Sequence, residues 1–270
     1  MSTQAIHSKP QKVLITAGAS GIGRIMALRF LRQGAKVFVI DLDASALRAL
    51  AHEVNEIADE APARLLTAVC DIGQRQAVEA VVPQAIEALG GLDVLINNAG
   101  VAGPTAPLES FDPDAWEQVM QVNLNGTFNV TRMAIPALKA SDNNPSIIIM
   151  SSVAGRYGYP NRSAYSTSKW GLIGLTKTLS RELGEYGVRV NAILPGAVAG
   201  ERIEKVLQQR AESNGRSLAQ EKTEAMKIQS LQRFVDPEDI AAMACFLASD
   251  AGRSISGQLL PIDNDLQSAS

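Results

Sequence analysis

The stretch Val13-Leu14-Ile15-Thr16-Ala17-Gly18-Ala19-Ser20-Gly21-Ile22-Gly23 decides the fold class. An apolar, β-branched run breaks into three glycines and continues as an amphipathic segment, Gly21 to Gln33. That order spells a strand turning sharply into a helix. Glycine permits the turn and lets backbone N–H groups and a helix N-terminus approach a pyrophosphate. Such a turn also serves chains that bind nothing, so a second residue has to give it meaning. That residue is Asp41, eighteen positions after Gly23 and at the end of the next apolar run, VFVID. A carboxylate there accepts hydrogen bonds from the adenosine ribose hydroxyls and repels the 2′-phosphate of NADP. Leu42 follows instead of a basic residue, and Asp43 adds a second negative charge. The pattern therefore favours NAD over NADP. Arg24, just inside the helix start, could offset the two acids, and a surface role suits it equally.

Outward from this unit, short apolar runs alternate with helical periods. Strands are predicted at Val13 to Thr16, Lys36 to Ile40, Leu65 to Val69, Val94 to Asn97, Ser146 to Met150, Arg189 to Leu194 and Gln258 to Ile262. Most are continuously apolar, as strands buried on both faces are. Helices are predicted at Gly21 to Gln33, Ala44 to Asp59, Gln74 to Leu89, Pro113 to Lys139, Ala164 to Tyr186 and Pro237 to Ala248. This alternation predicts an α/β fold, a parallel sheet with helices on both faces. No linker, repeat or low-complexity block divides the 270 residues, so one domain spanning 1–270 is expected. The irregular stretch, about 197–235, carries helical spacing at Ile203, Val206 and Leu207 and a capping box at Ser217 and Gln220. An insertion of that length after a strand end suits a helical lid over a substrate.

Composition excludes several classes. With 25 Lys+Arg against 28 Asp+Glu and 4% aromatic residues, the chain has neither the basic footprint nor the stacking platforms of a nucleic-acid binder. No apolar run approaches the length that spans a bilayer, and the first ten residues lack the apolar core of a signal peptide. A cytoplasmic protein with no membrane partner is expected. Cys70 and Cys245 lie far apart in apolar runs, which suits buried reduced thiols. The two histidines, His7 and His52, assemble neither a metal site nor a triad.

Acid–base chemistry must then come from elsewhere, and the segment that offers it is Ser151-Ser152-Val153-Ala154-Gly155 with Tyr165-Ser166-Thr167-Ser168-Lys169. Tyr165 and Lys169 stand four apart in a helical pattern and share a face. A free phenol is a poor base near neutral pH, and a nearby cation brings it toward the working range. Ser152, after a strand end, can hydrogen-bond an oxygen that changes between carbonyl and alkoxide. A buried tyrosine beside a solvated lysine would make the same pattern.

The chain resembles the short-chain dehydrogenase/reductase family over nearly its whole length. The matching elements, in order, are TAGASGIG (16–23), Asp41, CD (70–71), NNAG (97–100), VNLNGTF (122–128), SSVAG (151–155), YSTSK (165–169) and LPG (194–196). The resemblance implies a doubly wound Rossmann sheet of seven parallel strands. It implies that Tyr165 is the acid/base, that Lys169 lowers its pKa and binds the nicotinamide ribose, that Ser152 orients the reacting oxygen, and that Asn123 holds a relay water. It also implies a dinucleotide site drawn from Gly18, Ser20, Gly21, Ile22, Gly23, Asp41, Asp71, Ile72, Asn98, Ala99, Gly100, Pro195, Gly196 and Val198, with Asn97 as support. Three departures stand out: Ala17 replaces the family's first motif glycine, Gly200 replaces a frequent threonine, and IDNDL (262–266) replaces a Val-Asp-Gly-Gly turn.

For the substrate, the wall candidates are Ala154, Arg156, Tyr157, Tyr159, Arg162, Val101, Ala102 and Glu201-Arg202-Ile203. Three guanidiniums suit an anionic oxygen group, although solvated arginines are as ordinary. The expected function is hydride transfer between NAD(H) and a small polar secondary alcohol or its ketone: a sugar, polyol or hydroxy acid. The alternatives are a 3-oxoacyl thioester reductase, which Asp41 weakens, and an NAD-binding protein without turnover. Apolar residues beyond one stripe at 164–186, among them Leu172, Ile173, Leu175, Leu179 and Leu183, suggest a partner surface. Together with 113–139 they imply the family's homotetramer.

Overall fold

A computed structural model describes residues 9–56 and 61–267. The elements run β1 (Lys12–Thr16), α1 (Gly21–Arg32), β2 (Lys36–Asp41), α2 (Ala44–Val54), a single turn α3 (Ala61–Arg64), β3 (Leu65–Val69), α4 (Arg75–Leu89), β4 (Val94–Asn97), α5 (Pro113–Met120), α6 (Thr127–Lys139), β5 (Ser146–Met150), α7 (Ser163–Glu182), β6 (Arg189–Pro195), α8 (Glu201–Asn214), α9 (Leu218–Lys227), α10 (Pro237–Ala248) and β7 (Leu259–Ile262). His7 and part of the segment expected to extend α2 lie outside the described residues.

The seven strands form one sheet in the order β3-β2-β1-β4-β5-β6-β7, every neighbour parallel. The five inner strands are buried almost throughout because helices cover both faces. One core layer packs α1, α2 and α10 against the sheet through Met26, Phe30, Leu50 and Ile240. The other packs α4, α6 and α7 through Val78, Val130, Leu138 and Leu172. The edges alternate in burial, and Pro261 sits in edge strand β7, where its missing N–H costs no ladder bond.

Two corrections concern helices. The segment predicted as one helix over Pro113 to Lys139 is divided: α5 passes into a π-turn, Gln121–Gly126, before α6 begins. Apolar periodicity continues through a single widened turn, so the sequence pattern does not register it. Secondly, Leu172, Leu179 and Leu183 are buried in the chain's own core, with Ile173 and Leu175 packed against it. What α6 and α7 leave half exposed is Phe128 and Trp170.

The stretch after β6 holds α8 and α9, and Ser217 and Gln220 form the capping box expected of them. The chain then returns beside β6: Val235 donates to the Ala197 carbonyl and Ala199 to the Val235 carbonyl.

Candidate active site

The carboxyl ends of β1, β4, β5 and β6 converge on a crevice at the point where strand order reverses, between β1 and β4. In open parallel sheets ligands bind at that place. The glycine turn and the NNAG loop meet there and are stitched together. The buried Thr16 hydroxyl accepts the N–H groups of Asn98 and Ala99, each at 2.9 Å. Asn98 returns two bonds through Nδ2, to the carbonyls of Thr16 (3.1 Å) and Ala17 (2.9 Å). A Cβ on Gly23 would lie 2.1 Å from the Ala17 carbonyl, and one on Gly18 2.9 Å from Val39. Gly21 adopts φ 51° and faces open space. Ser20 starts α1 without a side-chain cap, and no acid occupies the first turn. Uncapped N–H groups above a cradle that a single Cβ would fill suit a pyrophosphate in charge and in space.

Asp41 stands across this turn. Its carboxylate accepts the Ala19 N–H at 3.0 Å and the Asp43 N–H at 3.1 Å. Asp43 itself is spent on α2: the Ser45 hydroxyl foremost, then the capped N–H groups of Ala46 and Ser45, donate to its carboxylate and hold it below the ordinary value. Arg24 forms a two-pronged ion pair with Glu53, so the cation that could have welcomed a 2′-phosphate is already neutralised. Further along the crevice Asp71 accepts the Gly73 N–H at 2.8 Å, and the buried Ile72 packs where a Cβ on Gly126 would fall.

Four more residues gather beside the NNAG loop. The π-turn delivers Asn123, fully buried, whose Oδ1 accepts the Val101 N–H (2.7 Å) while Nδ2 donates to the Val101 carbonyl and the Ser168 hydroxyl, both at 3.0 Å. Lys169, also buried, donates from Nζ to the Met150 carbonyl at 2.8 Å, and Nζ lies 5.7 Å from the centroid of the Tyr165 ring. The half-buried Tyr165 is one helical turn before it on α7. Ser152 follows β5, and its Oγ accepts the Ala154 N–H at 3.1 Å, which leaves its own proton to donate elsewhere. Gly155 lets this serine loop lie against α7, since a Cβ there would meet the Lys169 carbonyl at 2.8 Å. Among the described residues no set of His, Cys, Asp and Glu could hold a metal ion.

A family model described as "short chain dehydrogenase" matches residues 11–211, which contain this whole constellation up to α8. The chain belongs to the short-chain dehydrogenase family. It is 36% identical to the 3-oxoacyl-acyl-carrier-protein reductase FabG of Thermotoga maritima over 94% of this chain and 96% of that one. Two solved structures lie close to it, each 28% identical. An NAD+-bound xylitol dehydrogenase matches with TM-score 0.87, covering 93% of this chain and 97% of that one. A variant of actinorhodin polyketide ketoreductase with NADPH matches with TM-score 0.88, covering 96% and 97%. This short-chain dehydrogenase is thus an oxidoreductase of alcohols and ketones that uses a nicotinamide dinucleotide.

Its departures from the family pattern find physical accounts. Ala17 takes a left-handed φ of 49°, so the dehydrogenase keeps the glycine conformation with a methyl attached, at a steric cost. Gly200, with φ 135°, forms the N-cap of α8 and brings no side chain to the site. In the tail, Asn264 and Asp265 have φ of 58° and 57°, left-handed values that glycine adopts freely and that Asn and Asp tolerate best after glycine. Asp263 backs Gly196, whose N–H donates to Ile262.

The predicted substrate-wall residues fall in different settings. Ala154 is buried. The Arg156 guanidinium is 5.2 Å from the Tyr157 ring, and the Tyr157 hydroxyl donates to the Leu266 carbonyl at 2.9 Å, so this loop is tied to the tail. Tyr159 is half buried in the same loop, and Val101 and Ala102 follow the NNAG loop with Val101 partly exposed. Arg162 donates to the Thr105 hydroxyl at 3.1 Å. Arg202 lies in the first turn of α8, and its side chain is outside the described residues. Thr16, Ser168 and Thr105 escaped the sequence reading. The first two lie inside matched motifs, where only the hydrogen bonds reveal them; Thr105 lies in a loop with no pattern.

Proposed function

We propose that this enzyme uses NAD(H) in preference to NADP(H) and interconverts a small polar secondary alcohol, such as a sugar, polyol or hydroxy acid, with its ketone. The observation that carries the cofactor reading is Asp41, its carboxylate fixed beside the glycine turn while Arg24 is consumed by Glu53. A 2′-phosphate there would meet a fixed negative charge, and Arg24 is already paired with Glu53. The cationic side chains between Ser152 and Tyr165, Arg156 and Arg162, support an oxygen-rich substrate, as does the likeness to a xylitol dehydrogenase. α8 and α9, over about 197–235, act as the helical lid of a single domain. The 36% identity to FabG favours a second reading, reduction of a 3-oxoacyl thioester. Intact Asn123, Ser152, Tyr165 and Lys169 argue against a silent binding protein.

The dinucleotide would be held by Gly18, Ser20, Gly21, Ile22 and Gly23 at the pyrophosphate, by Asp41 at the adenosine ribose, and by Asp71 and Ile72 at the adenine. Asn98, Ala99, Gly100, Pro195, Gly196 and Val198 would line the rest, with Tyr165 and Lys169 at the nicotinamide ribose. When bound, it accepts or supplies the hydride. In the oxidative direction the Tyr165 oxygen takes the substrate hydroxyl proton, and in reduction it returns it. The Lys169 ammonium favours the phenolate. Ser152 donates its free proton to the reacting oxygen and steadies it as its charge changes. Asn123 fixes the NNAG loop to Ser168. Its carbonyl accepts the Thr127 hydroxyl and retains a lone pair for a relay water.

A panel of secondary alcohols and 3-oxoacyl thioesters assayed at 340 nm with both dinucleotides tests this reading. Polyol or hydroxy-acid oxidation with NAD is the expected result; rapid thioester reduction with NADPH would select the second reading. In parallel, Tyr165→Phe should abolish turnover while NADH still binds. We further propose self-association through α6 and α7, where Phe128 and Trp170 are half exposed, which light scattering would detect as a tetramer.

A further inference from the structure

We propose that Arg162 is a second cationic support for Tyr165, so that negative charge on the phenol is held by Arg162 and Lys169 together. The inference rests on the reading of Tyr165 as the proton-exchanging group. The Arg162 guanidinium carbon lies 5.1 Å from the Tyr165 ring centroid, closer than the 5.7 Å of Lys169 Nζ. A phenolate spreads its charge over ring and oxygen, so a cation within about 6 Å of the ring favours the ionised form. Arg162 is also held in place. It is the N-cap residue just before α7, its side chain makes no cap to that helix, and its Nη1 donates to the Thr105 hydroxyl. Beside that bond the Ala106 N–H donates to the Asn161 carbonyl at 3.0 Å, so two cross-links fasten this corner to the loop after the NNAG motif. A tethered guanidinium loses less by ordering than a free one.

Other charges around Tyr165 do not replace it. The loop 101–107 and the π-turn 121–126 contain no charged residue. Beyond Ser152 the charged group is Arg156, which sits over Tyr157. On α5 the acids Asp114 and Glu117 are exposed, as is Glu201 at the start of α8. Lys169 faces the ring from the same helix, buried and bonded to the Met150 carbonyl.

The test needs no substrate. The chain has four tyrosines, so ultraviolet difference titration of the apoprotein against Y165F isolates the Tyr165 phenolate. Arg162→Gln should raise that titration by about half to one pH unit, and Arg162→Lys should restore most of it. With any alcohol the panel finds active, R162Q should lose about three- to tenfold in kcat/KM near neutral pH and recover the wild-type plateau at high pH. An unmoved Tyr165 titration in R162Q overturns the proposal. So does an equal loss of activity at every pH, which would make Arg162 a structural or substrate contact alone. If R162Q does not fold, Thr105→Val, which removes the tether and keeps the charge, should show part of the shift, and a wild-type titration there is equally fatal. Failure of the underlying reading is separate: Y165F would then keep its turnover.

Discussion

Ala17 carries the most direct test at the scale of one residue. With φ at 49° it sits where an L-residue with a Cβ pays a steric cost that glycine does not. Ala17→Gly should therefore stabilise the apoprotein by about 0.5–1 kcal/mol, partly offset by the freer unfolded chain, and a urea melt reads the sign. Six positions on, the opposite holds: Gly23→Ala places a methyl 2.1 Å from the Ala17 carbonyl, and the turn must move. That variant should lose dinucleotide binding by fluorescence titration while β1 and α1 persist. Asp41→Ser is the corresponding test of charge. Removing the carboxylate beside the Ala19 N–H lifts the repulsion of a 2′-phosphate, and the NADP/NAD ratio of kcat/KM should rise at least about tenfold, equivalent to about 1.4 kcal/mol.

At the scale of elements, the π-turn and the C-terminal turn matter most. Gln121–Gly126 widens one turn of an otherwise regular helix and so points Asn123 at Val101 and Ser168. Asn123→Ala leaves the Val101 N–H and carbonyl and the buried Ser168 hydroxyl without their bonds and should cost about 2–3 kcal/mol in a denaturant melt, with turnover falling further than stability alone explains. Asp263 to Gln267 joins the exit of α9 to the loop after Ser152. Gln267 N–H donates to Ile228, Leu231 N–H to Asn264, and Asn264 Nδ2 to Arg233, all at the exit of α9; the Leu266 carbonyl receives the Tyr157 hydroxyl from the serine loop. Truncation after Ile262 removes these ties at about 1 kcal/mol apiece and should raise KM about tenfold, with the far-UV spectrum retained. Tyr157→Phe, which cuts one tie, should move KM only a few-fold in the same direction.

Across the whole molecule, the two core layers bury both thiols. Burial pushes Cys70 up to about 11 and Cys245 up to about 12, from an ordinary 9.0. Neither should react with a disulfide reagent at pH 8 until the chain unfolds, whereupon both should. Because the fold favours the neutral thiols, their contribution to stability is full below about pH 9 and is lost as pH rises from there through about 11–12, which urea midpoints at pH 8 and 10 would show. No helix among the described residues is long and apolar enough to cross a membrane.

Much of this architecture is legible in one dimension, because buried parallel strands have to be continuously apolar and the turn after β1 has to be glycine-rich. The strands at 65–69, 94–97 and 146–150 coincide with their predicted limits, and Asp41, Ser152, Tyr165 and Lys169 arrive at strand ends and a helix face dictated by local spacing. What spacing cannot express is conformation without a composition signal and contact across long separations. The π-turn hides in unbroken helical periodicity. The left-handed pair Asn264–Asp265 lacks the glycines that would announce it. The ion pair of Arg24 with Glu53, the burial of Leu172 and Leu179 and the approach of Arg162 to Tyr165 arise when helices and loops pack. The sequence by itself thus determined the sheet, the glycine turn after β1 and the placing of Ser152, Tyr165 and Lys169, since backbone sterics and apolar burial act locally. Only the tertiary structure decided which charges are paired and which side chains remain exposed, since those depend on distances that folding creates.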